Sequence, residues 1–563
     1  MVHTKACKKQ VKIIMRDFQF QNDLTGAKCL SSSHQKKGMR IAVAQINVTV
    51  GDLEGNAQRI IKFIKKAENE ADLVVFPELA VTGYPPQDLL FERQFIKENK
   101  EMLSKIAESS EIPCIVGFVD SHNGKLYNAA ALINNRRIQG VQHKILLPNY
   151  DVFDERRYFT PGKSQSLFEI CGKKVGIEIC EDLWEHQYDA KPTSNLHTMG
   201  AEIIINISAS PYAAGKTQER YKIAQPHSDR LFVYCNLVGG QDELVFDGQS
   251  FVLQRKKLIQ MGKAFKEDFF IIDTEKKYPE VTITASRTEE LFDALVLGLR
   301  DYCRKTHFDR VVIALSGGID SSLVACLAVE ALGKENVVGI FMPSQYTSRK
   351  SREGVDRLVD ALGVSLVNLS IDRVFGAYKT VLRDLFKGLE EDTTEENIQA
   401  RIRGNLLMAF SNKFGHLVLA SGNKTELALG YCTLYGDMSG GLSVIGDVNK
   451  VQVYQLARYY NELKGKTIIP EIVLERAPSA ELKEGQVDPF DYAVVAPLVD
   501  LIVEERKSRK EFISTGYDPH LIDDILGRIQ KNEYKRRQAA PVIKVTKKAF
   551  GIGRRYPIAN QFR

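Results

Sequence analysis

Short, almost wholly apolar runs recur along the chain from Met39 onward, at residues 40–46, 73–76, 112–118, 174–179, 203–207 and 231–237. Their length and their content of Val and Ile predict strands, and the lack of polar alternation predicts sheets buried on both faces. Residues 56–71 and 95–108 between them carry apolar positions at helical spacing. Residues 249–265 predict a terminal hairpin. The pattern then stops: residues 274–285 are polar, contain Pro279 and keep no period, which predicts a domain junction. A new helix follows, with Ser286 and Glu289 at capping-box spacing and Leu291, Leu295, Leu299 and Tyr302 on one face. Runs at 311–315, 337–341, 365–368 and 417–421 then alternate with helices, as in a doubly wound parallel sheet whose ligands gather at the strands' carboxyl ends. Residues 388–396 are acidic and turn-rich, which predicts a mobile stretch. No internal repeat is visible.

Composition adds little to this α/β picture. A chain of 563 residues, 44% hydrophobic and 26% charged, has room for two to four domains. The net charge of +6 is local, because the first 38 residues hold eight Lys/Arg against two Asp and the rest balances at 69 basic and 69 acidic residues. A basic N-terminal extension, expected to be unordered and non-catalytic, therefore precedes a neutral body, which argues against nucleic acid as a partner. The extension has no apolar core for a secretory signal, and no stretch reaches the length of a membrane helix. Nine scattered cysteines show neither Cys-x-x-Cys pairs nor zinc spacing. These features predict a reduced, cytoplasmic protein with no membrane partner.

The run at 311–315 breaks into Leu315-Ser316-Gly317-Gly318-Ile319-Asp320-Ser321-Ser322 and then an apolar stretch. Strand, glycine turn and helix start together offer backbone N–H groups and a helix dipole to a phosphate. The spacing is neither that of a Walker loop nor that of a dinucleotide fingerprint. It resembles the pyrophosphate loop of the ATP pyrophosphatases, which adenylate a carboxyl or carbonyl oxygen. That resemblance implies ATP as co-substrate and Asp320 as a Mg²⁺ ligand.

In the first half, three strand ends each deliver one unusual polar residue: Glu78 in Phe76-Pro77-Glu78, Lys144 in His143-Lys144-Ile145, and Cys180 in Ile179-Cys180-Glu181-Asp182-Leu183-Trp184. A thiol attacks an amide well only when a base or a positive neighbour produces thiolate. The set and its order resemble the nitrilase superfamily, and Gly83, Tyr84, Asn128 and residues 153–162 fit the surrounding pattern. The resemblance implies an αββα sandwich over residues 39–273, with Cys180 as nucleophile, Glu78 as general base and acid, Lys144 as oxyanion partner and Glu155 as supporting carboxylate. By likeness to glutamine-dependent amidases, Tyr150, Ser210 and Lys216 are placed around glutamine.

Both halves in one chain resemble the glutamine-dependent NAD synthetases. The further motifs are Glu396-Asn397-Ile398-Gln399-Ala400-Arg401-Ile402-Arg403-Gly404, Ser421-Gly422-Asn423-Lys424-Thr425-Glu426, a loop at 434–441, Gly446-Asp447-Val448-Asn449-Lys450, and Tyr534-Lys535-Arg536-Arg537-Gln538. The resemblance implies an amidase domain at 39–273, a linker at 274–285 and a synthetase domain at 286–563. It also implies that Ser421, Lys450 and Ser479 contact ATP, that Asn397, Arg401 and Lys535 hold deamido-NAD, and that Glu426 joins Asp320 at Mg²⁺ or meets the dinucleotide. Where ammonia-only synthetases place a lysine and an aspartate in the loop, this chain has Leu434 and Gly441, so the dinucleotide contacts there stay open. The substrates are then glutamine, ATP and deamido-NAD, and the family implies a homo-oligomer. Two rivals are an ammonia-using synthetase with an inert amidase half and a nucleotide sensor that keeps both folds as scaffolds. The intact Glu78, Lys144, Cys180, Ser316 and Asp320 speak against both.

Overall fold

In the computed structural model, which describes residues 38–284 and 286–562, each apolar run of the first half is a strand. One sheet is assembled from β1 (Arg40–Gln45), β2 (Leu73–Val75), β3 (Cys114–His122), β4 (Lys125–Asn134) and β5 (Arg137–His143). A second uses β6 (Leu167–Ile170), β7 (Lys173–Ile179), β8 (Ile203–Ser208) and β9 (Leu231–Asn236). The hairpin β10 (Val238–Gln241) and β11 (Leu244–Asp247) stands apart, β12 (Phe251–Gln254) and β13 (Lys257–Met261) extend the second sheet, and β14 (Asp268–Asp273) returns to flank β1. The strand orders are β14-β1-β2-β3-β4-β5 and β13-β12-β9-β8-β7-β6.

The two-sided burial has a simple cause. Ile41 and Val43 of β1 pack against Ile205, Ile207 and Val233 of the facing sheet. Their neighbours Ala42 and Ala44 point the other way, into the layer of α1 (Leu53–Ala67) and α2 (Arg93–Glu108). The opposite face of the second sheet packs Phe232 and Tyr234 against Leu196 of α3 (Pro192–Thr198) and Ala224 of α4 (Lys216–Ala224). Both faces of each sheet are therefore apolar, giving four layers in the order helix, sheet, sheet, helix.

After the irregular residues 274–284, Ser286 accepts the Glu289 N–H at 3.4 Å and starts α5 (Arg287–Lys305). The second half is a parallel sheet of β15 (Val311–Ala314), β16 (Val337–Phe341), β17 (Ser365–Asn368), β18 (Leu417–Ala420) and β19 (Leu442–Ser443) in the order β17-β16-β15-β18-β19. The order reverses beside β15, so the crevice at its carboxyl end is the expected ligand position. Around the sheet lie α6 (Ile319–Leu332), α7 (Arg349–Leu362), α8 (Asp372–Leu382), α9 (Thr393–Phe414), α10 (Lys424–Leu429) and α11 (Lys450–Lys464). The stretch expected to be mobile is partly helical instead. Asp392 accepts the Thr394 N–H and Glu395 accepts the Asp392 N–H, so acidic residues that read as a solvated turn cap the start of α9. The basic extension, residues 1–37, lies outside the described residues.

The halves share one apolar core: Tyr212, Val238, Val245 and Phe265 from the first pack with Leu291, Leu295 and Ile543 from the second. The close approach needs a bare backbone at Gly298, where a Cβ would lie 2.9 Å from Ile543 Cγ2 and 3.0 Å from Val245 Cγ2. Polar groups fix the register, with Asp301 Oδ2 accepting from Asn47 Nδ2 at 2.6 Å and Gly240 N at 2.8 Å. Lys305 Nζ reaches the carbonyls of Val48 and Gly240, both at 2.7 Å. No helix among the described residues is long and apolar enough to cross a membrane.

Candidate active sites

Cys180 directly follows β7 with φ of +46°, a backbone conformation that places a non-glycine residue under strain and is often found at reacting groups. Glu78 lies just beyond the end of β2 and Lys144 just beyond the end of β5, so the two sheets bring the three together. Lys144 Nζ donates to Glu78 Oε1 at 2.7 Å and to Glu155 Oε1 at 2.8 Å, and all three side chains are buried. Asn128 Nδ2 donates to the same Glu78 oxygen at 2.7 Å, Ala209 N donates to Glu78 Oε2 at 2.8 Å, and Tyr84 OH donates to Glu155 Oε1 at 3.0 Å.

The electrostatics define the resting state. Burial disfavours the Lys144 ammonium, yet Glu155 and Glu78 outweigh it and raise its pKa well above the ordinary lysine value. Burial pushes Glu155 up to about 7, against the pull of Lys144 and with the push of Glu78. Burial and the facing Glu78 raise the Cys180 thiol well above its ordinary value, with Lys144 opposing them. The sulfur is therefore protonated at rest and needs a base beside it to become a nucleophile.

The residues assigned to glutamine surround this cluster. Tyr150 OH donates to both carboxylate oxygens of Glu181, at 3.1 and 3.0 Å, and Tyr188 OH donates to Glu181 Oε1 at 2.8 Å. Ser210 Oγ accepts from the buried Arg220 Nε at 3.1 Å, and Arg220 is paired in turn with Asp247 at 2.8 Å. Lys216 Nζ lies 3.7 Å from the centroid of the Trp184 ring and 3.3 Å from Glu219 Oε2, and burial lowers its pKa. Glu181, which the sequence reading left without a role, thus belongs to the pocket. Its signal was present in the acidic pair that follows the cysteine.

In the second half, Leu315, Ser316, Gly317, Gly318, Ile319, Asp320, Ser321, Ser421, Glu426, Lys450 and Ser479 line one cleft at the carboxyl ends of β15 and β18. Gly317 takes φ of +78°, and a Cβ there would meet the Ser351 carbonyl oxygen at 2.5 Å. Ser322 does not line the cleft; its hydroxyl donates to the Gly318 carbonyl at 2.8 Å and ties the loop to α6. Lys450 Nζ bonds Asp320 Oδ2 at 2.5 Å and Glu426 Oε1 at 3.3 Å, while Asn423 Nδ2 donates to Asp320 Oδ1 at 2.9 Å. Burial pushes Glu426 up to about 8, with Lys450 opposing and Asp320 adding to the rise.

Asn397, Arg401 and Lys535 meet on a neighbouring loop instead. Thr433 Oγ1 donates to Asn397 Oδ1 at 2.7 Å, Arg401 Nε donates to the Leu434 carbonyl at 3.3 Å, and Lys535 Nζ donates to the carbonyls of Gly430 and Cys432 at 2.9 and 2.8 Å. Asp437 from the same loop lines the cleft, and burial pushes it up to about 6. Arg403, Arg476 and Glu481 also line the cleft. No sequence signal marked the last two, because only the fold carries residues 476–481 to Ser351.

Residues 40–257 match the carbon–nitrogen hydrolase family and residues 291–539 the NAD synthase family. The glutamine-dependent NAD(+) synthetase of Thermotoga maritima is 44% identical, over 94% of this chain and 99% of that protein. The Synechocystis protein of the same description is also 44% identical, over 93% and 99%. A solved structure of the Acinetobacter baumannii glutamine-dependent NAD+ synthetase with ADP superposes with a TM-score of 0.76 at 37% identity, covering 93% of this chain and 99% of that one. With near-complete coverage at this identity, and with both family matches in two halves that share one core, the chain belongs to the glutamine-dependent NAD+ synthetases.

Proposed function

We propose that Glu78, Lys144 and Cys180 release ammonia from glutamine and that the Ser316–Asp320 cleft consumes it on an adenylated dinucleotide. The chain is a glutamine-hydrolysing ligase of the last step of NAD+ biosynthesis. Glu78 takes the Cys180 proton as sulfur attacks the glutamine amide, and Lys144 stabilises the oxyanion. Glu78 returns the proton to the departing ammonia, and water then cleaves the Cys180 thioester to glutamate. Glu155, bonded to the Lys144 ammonium, orients it and holds it charged. Tyr150, Ser210 and Lys216 face the amino-acid end of glutamine, where Glu181 offers the acceptor that an α-ammonium requires.

In the cleft, backbone N–H groups of the Ser316–Ser322 turn and the start of α6 receive ATP phosphates, with Ser421, Lys450 and Ser479 beside them. The deamido-NAD carboxylate attacks the α-phosphorus, pyrophosphate leaves, and ammonia displaces AMP from the acyl-adenylate. Asn397, Arg401 and Lys535 shape the loop at 430–434 against which the dinucleotide is held. Asp320 and Glu426 fit a Mg²⁺ ion: they are hard oxygen donors that share one cation, Lys450, at the lip of the phosphate loop. When bound there, Mg²⁺ would neutralise phosphate charge as pyrophosphate departs. Among the described residues no set of three or more His, Cys, Asp and Glu forms a metal cluster, so phosphate and water oxygens would complete the shell.

The observation that carries this reading is the buried Glu78–Lys144–Glu155 chain beside Cys180, in a half that shares its core with the nucleotide cleft. Ammonia in neutral water is mostly protonated, so a sheltered route between the sites follows. Glutamine labelled with ¹⁵N at the amide, supplied with ATP, Mg²⁺, deamido-NAD and excess unlabelled ammonium, tests it by mass spectrometry. NAD+ carrying the glutamine label is expected, and full competition by bulk ammonium would refute the route. The family further implies a cytoplasmic homo-oligomer, which cell fractionation and sedimentation measure.

A further inference from the structure

Three consecutive residues after β7 divide their tasks: Cys180 carries the sulfur, Glu181 meets two tyrosines in the pocket, and Asp182 turns back into the protein. The Asp182 carboxylate is buried, and its Oδ2 accepts the Ile179 N–H at 3.0 Å. Its Oδ1 accepts the N–H groups of Ile145 at 3.0 Å and Leu146 at 2.8 Å. One side chain therefore grips the backbone immediately before the nucleophile and immediately after Lys144, which sit at the ends of strands in opposite sheets.

We propose that Asp182 is a positioning residue for glutamine hydrolysis, a clip that sets the Cys180 sulfur against the Lys144 ammonium. The proposal rests on the reading of those two residues as nucleophile and oxyanion partner. Two further observations support it. Cys180 holds a left-handed backbone, which persists only where the surroundings over-determine it, and the Asp182 bond to the preceding amide is such a restraint. Glu78 and Glu155 hold the Lys144 ammonium, and its backbone is otherwise tied through its own peptide: its N–H donates to the Asn128 carbonyl at 2.8 Å and its carbonyl accepts from Gly162 N at 2.7 Å. Asp182 adds the restraint that relates this strand end to the cysteine turn rather than to its own sheet. Burial pushes the carboxyl up to about 7, as expected for an acid held by dipoles rather than by a cation in direct contact.

Asp182→Asn keeps the shape but turns one acceptor into an NH₂ group facing N–H donors, and Asp182→Ala removes all three bonds. A misplacement of about 1 Å between reacting groups costs roughly 100-fold in rate. Glutamine-driven kcat is therefore expected to fall about 30-fold in the first variant and about 100-fold in the second, with glutamine KM changed less than about threefold. The rate of Cys180 alkylation by iodoacetamide, read by peptide mass, should fall alongside kcat, whereas ammonia-driven NAD+ formation should stay within about twofold. A rise in KM with kcat preserved, an unchanged alkylation rate, or an equal loss of ammonia-driven activity would each overturn the clip. Cys180→Ala, run in parallel, separates the two readings: if it keeps glutamine-driven activity, the nucleophile assignment fails, whatever Asp182 does.

Discussion

Lys450 Nζ stands 2.5 Å from Asp320 Oδ2, and the same ammonium reaches Glu426 Oε1 at 3.3 Å, so one cation serves two carboxylates in the nucleotide cleft. Despite burial, Asp320 and Glu426 raise the lysine above its ordinary pKa and keep it charged. Burial raises the Glu426 carboxyl above its ordinary pKa and favours its protonated form, with Lys450 opposing and Asp320 adding to the rise. A divalent cation arriving with phosphate favours the carboxylate, lowers that pKa and expels the proton. Titration calorimetry of Mg²⁺-ATP at pH 7 in buffers of different ionisation enthalpy should show proton release, and Glu426→Gln should abolish it. Release that survives in the glutamine variant would assign the proton elsewhere. Lys450→Met should lower pyrophosphate release about 100-fold with either nitrogen source, since it leaves two acids facing the phosphates.

Gly317→Ala tests the phosphate turn by sterics alone. The new methyl would lie 2.5 Å from the Ser351 carbonyl oxygen and 2.7 Å from its Cα, at a φ that side chains rarely adopt. A backbone shift there displaces the N–H groups proposed to receive phosphate. ATP KM should rise about tenfold or more, and both nitrogen sources should suffer equally. Glutamine hydrolysis measured without ATP should be untouched. A selective loss of glutamine hydrolysis would contradict the placement of ATP.

What the sequence disclosed and what it hid follow from how local each signal is. Ser316 to Ser322 form a contiguous turn, and Glu78, Lys144 and Cys180 each end a strand, so runs of apolar residues breaking into one reactive group located them. Asp182 and Glu181 sat beside the cysteine in plain view, yet their opposite directions depend on a turn whose geometry sequence does not reveal. Arg476 and Glu481 enter the cleft through a fold-made contact with Ser351, more than a hundred residues away, and no local pattern encodes that. Residues 388–396 misled for a different reason: the same acids that solvate a turn also cap a helix. The short helix Lys424–Leu429 is too brief to display a period, though Asn423 and Glu426 form its capping box.

Glu178 makes stability depend on pH. It is fully buried two residues before Cys180, accepts from Asn206 Nδ2 at 2.8 Å and Thr193 Oγ1 at 2.8 Å, and burial pushes it up to about 8. A carboxyl whose pKa is higher folded than unfolded favours the protonated chain, so its contribution is complete below about pH 4.5 and disappears as pH rises toward 8. Glu178→Gln removes this dependence. The glutamine amide can donate to Thr193, whose hydroxyl is then free to donate to the Asp182 carbonyl at 3.2 Å. Urea unfolding should show the variant more stable than the parent by up to about 4 kcal/mol at pH 8 and by less than about 1 kcal/mol at pH 5. An advantage that grows toward acid would have the wrong sign and exclude Glu178 as the source.

Residues 544–548 of the second half pack beside the residues proposed to hold glutamine in the first. Lys544 and Lys548 flank Asp151 at 3.3 and 3.1 Å, next to Tyr150. Lys547 pairs with Glu219, the partner of Lys216, at 2.5 Å, and Ala214 N donates to the Val545 carbonyl at 3.0 Å. The segment is anchored at its other side by Asp447, which accepts from Val545 N at 2.8 Å and Thr546 N at 2.7 Å, three residues before Lys450. Asp151 holds a left-handed φ of +52°, so its conformation depends on these contacts. Asp151→Asn keeps its size but leaves two ammonium groups facing each other without a counter-charge. Glutamine KM should rise about tenfold, while ammonia-driven synthesis stays within about twofold, because the charge lost is outside the nucleotide cleft. Lys548→Met in the Asp151→Asn background should add much less than it does alone, since the two changes remove one interaction. Additive effects of the two substitutions would mean that the lysine and the aspartate act on glutamine separately, and the segment would then be no more than a seam between the halves.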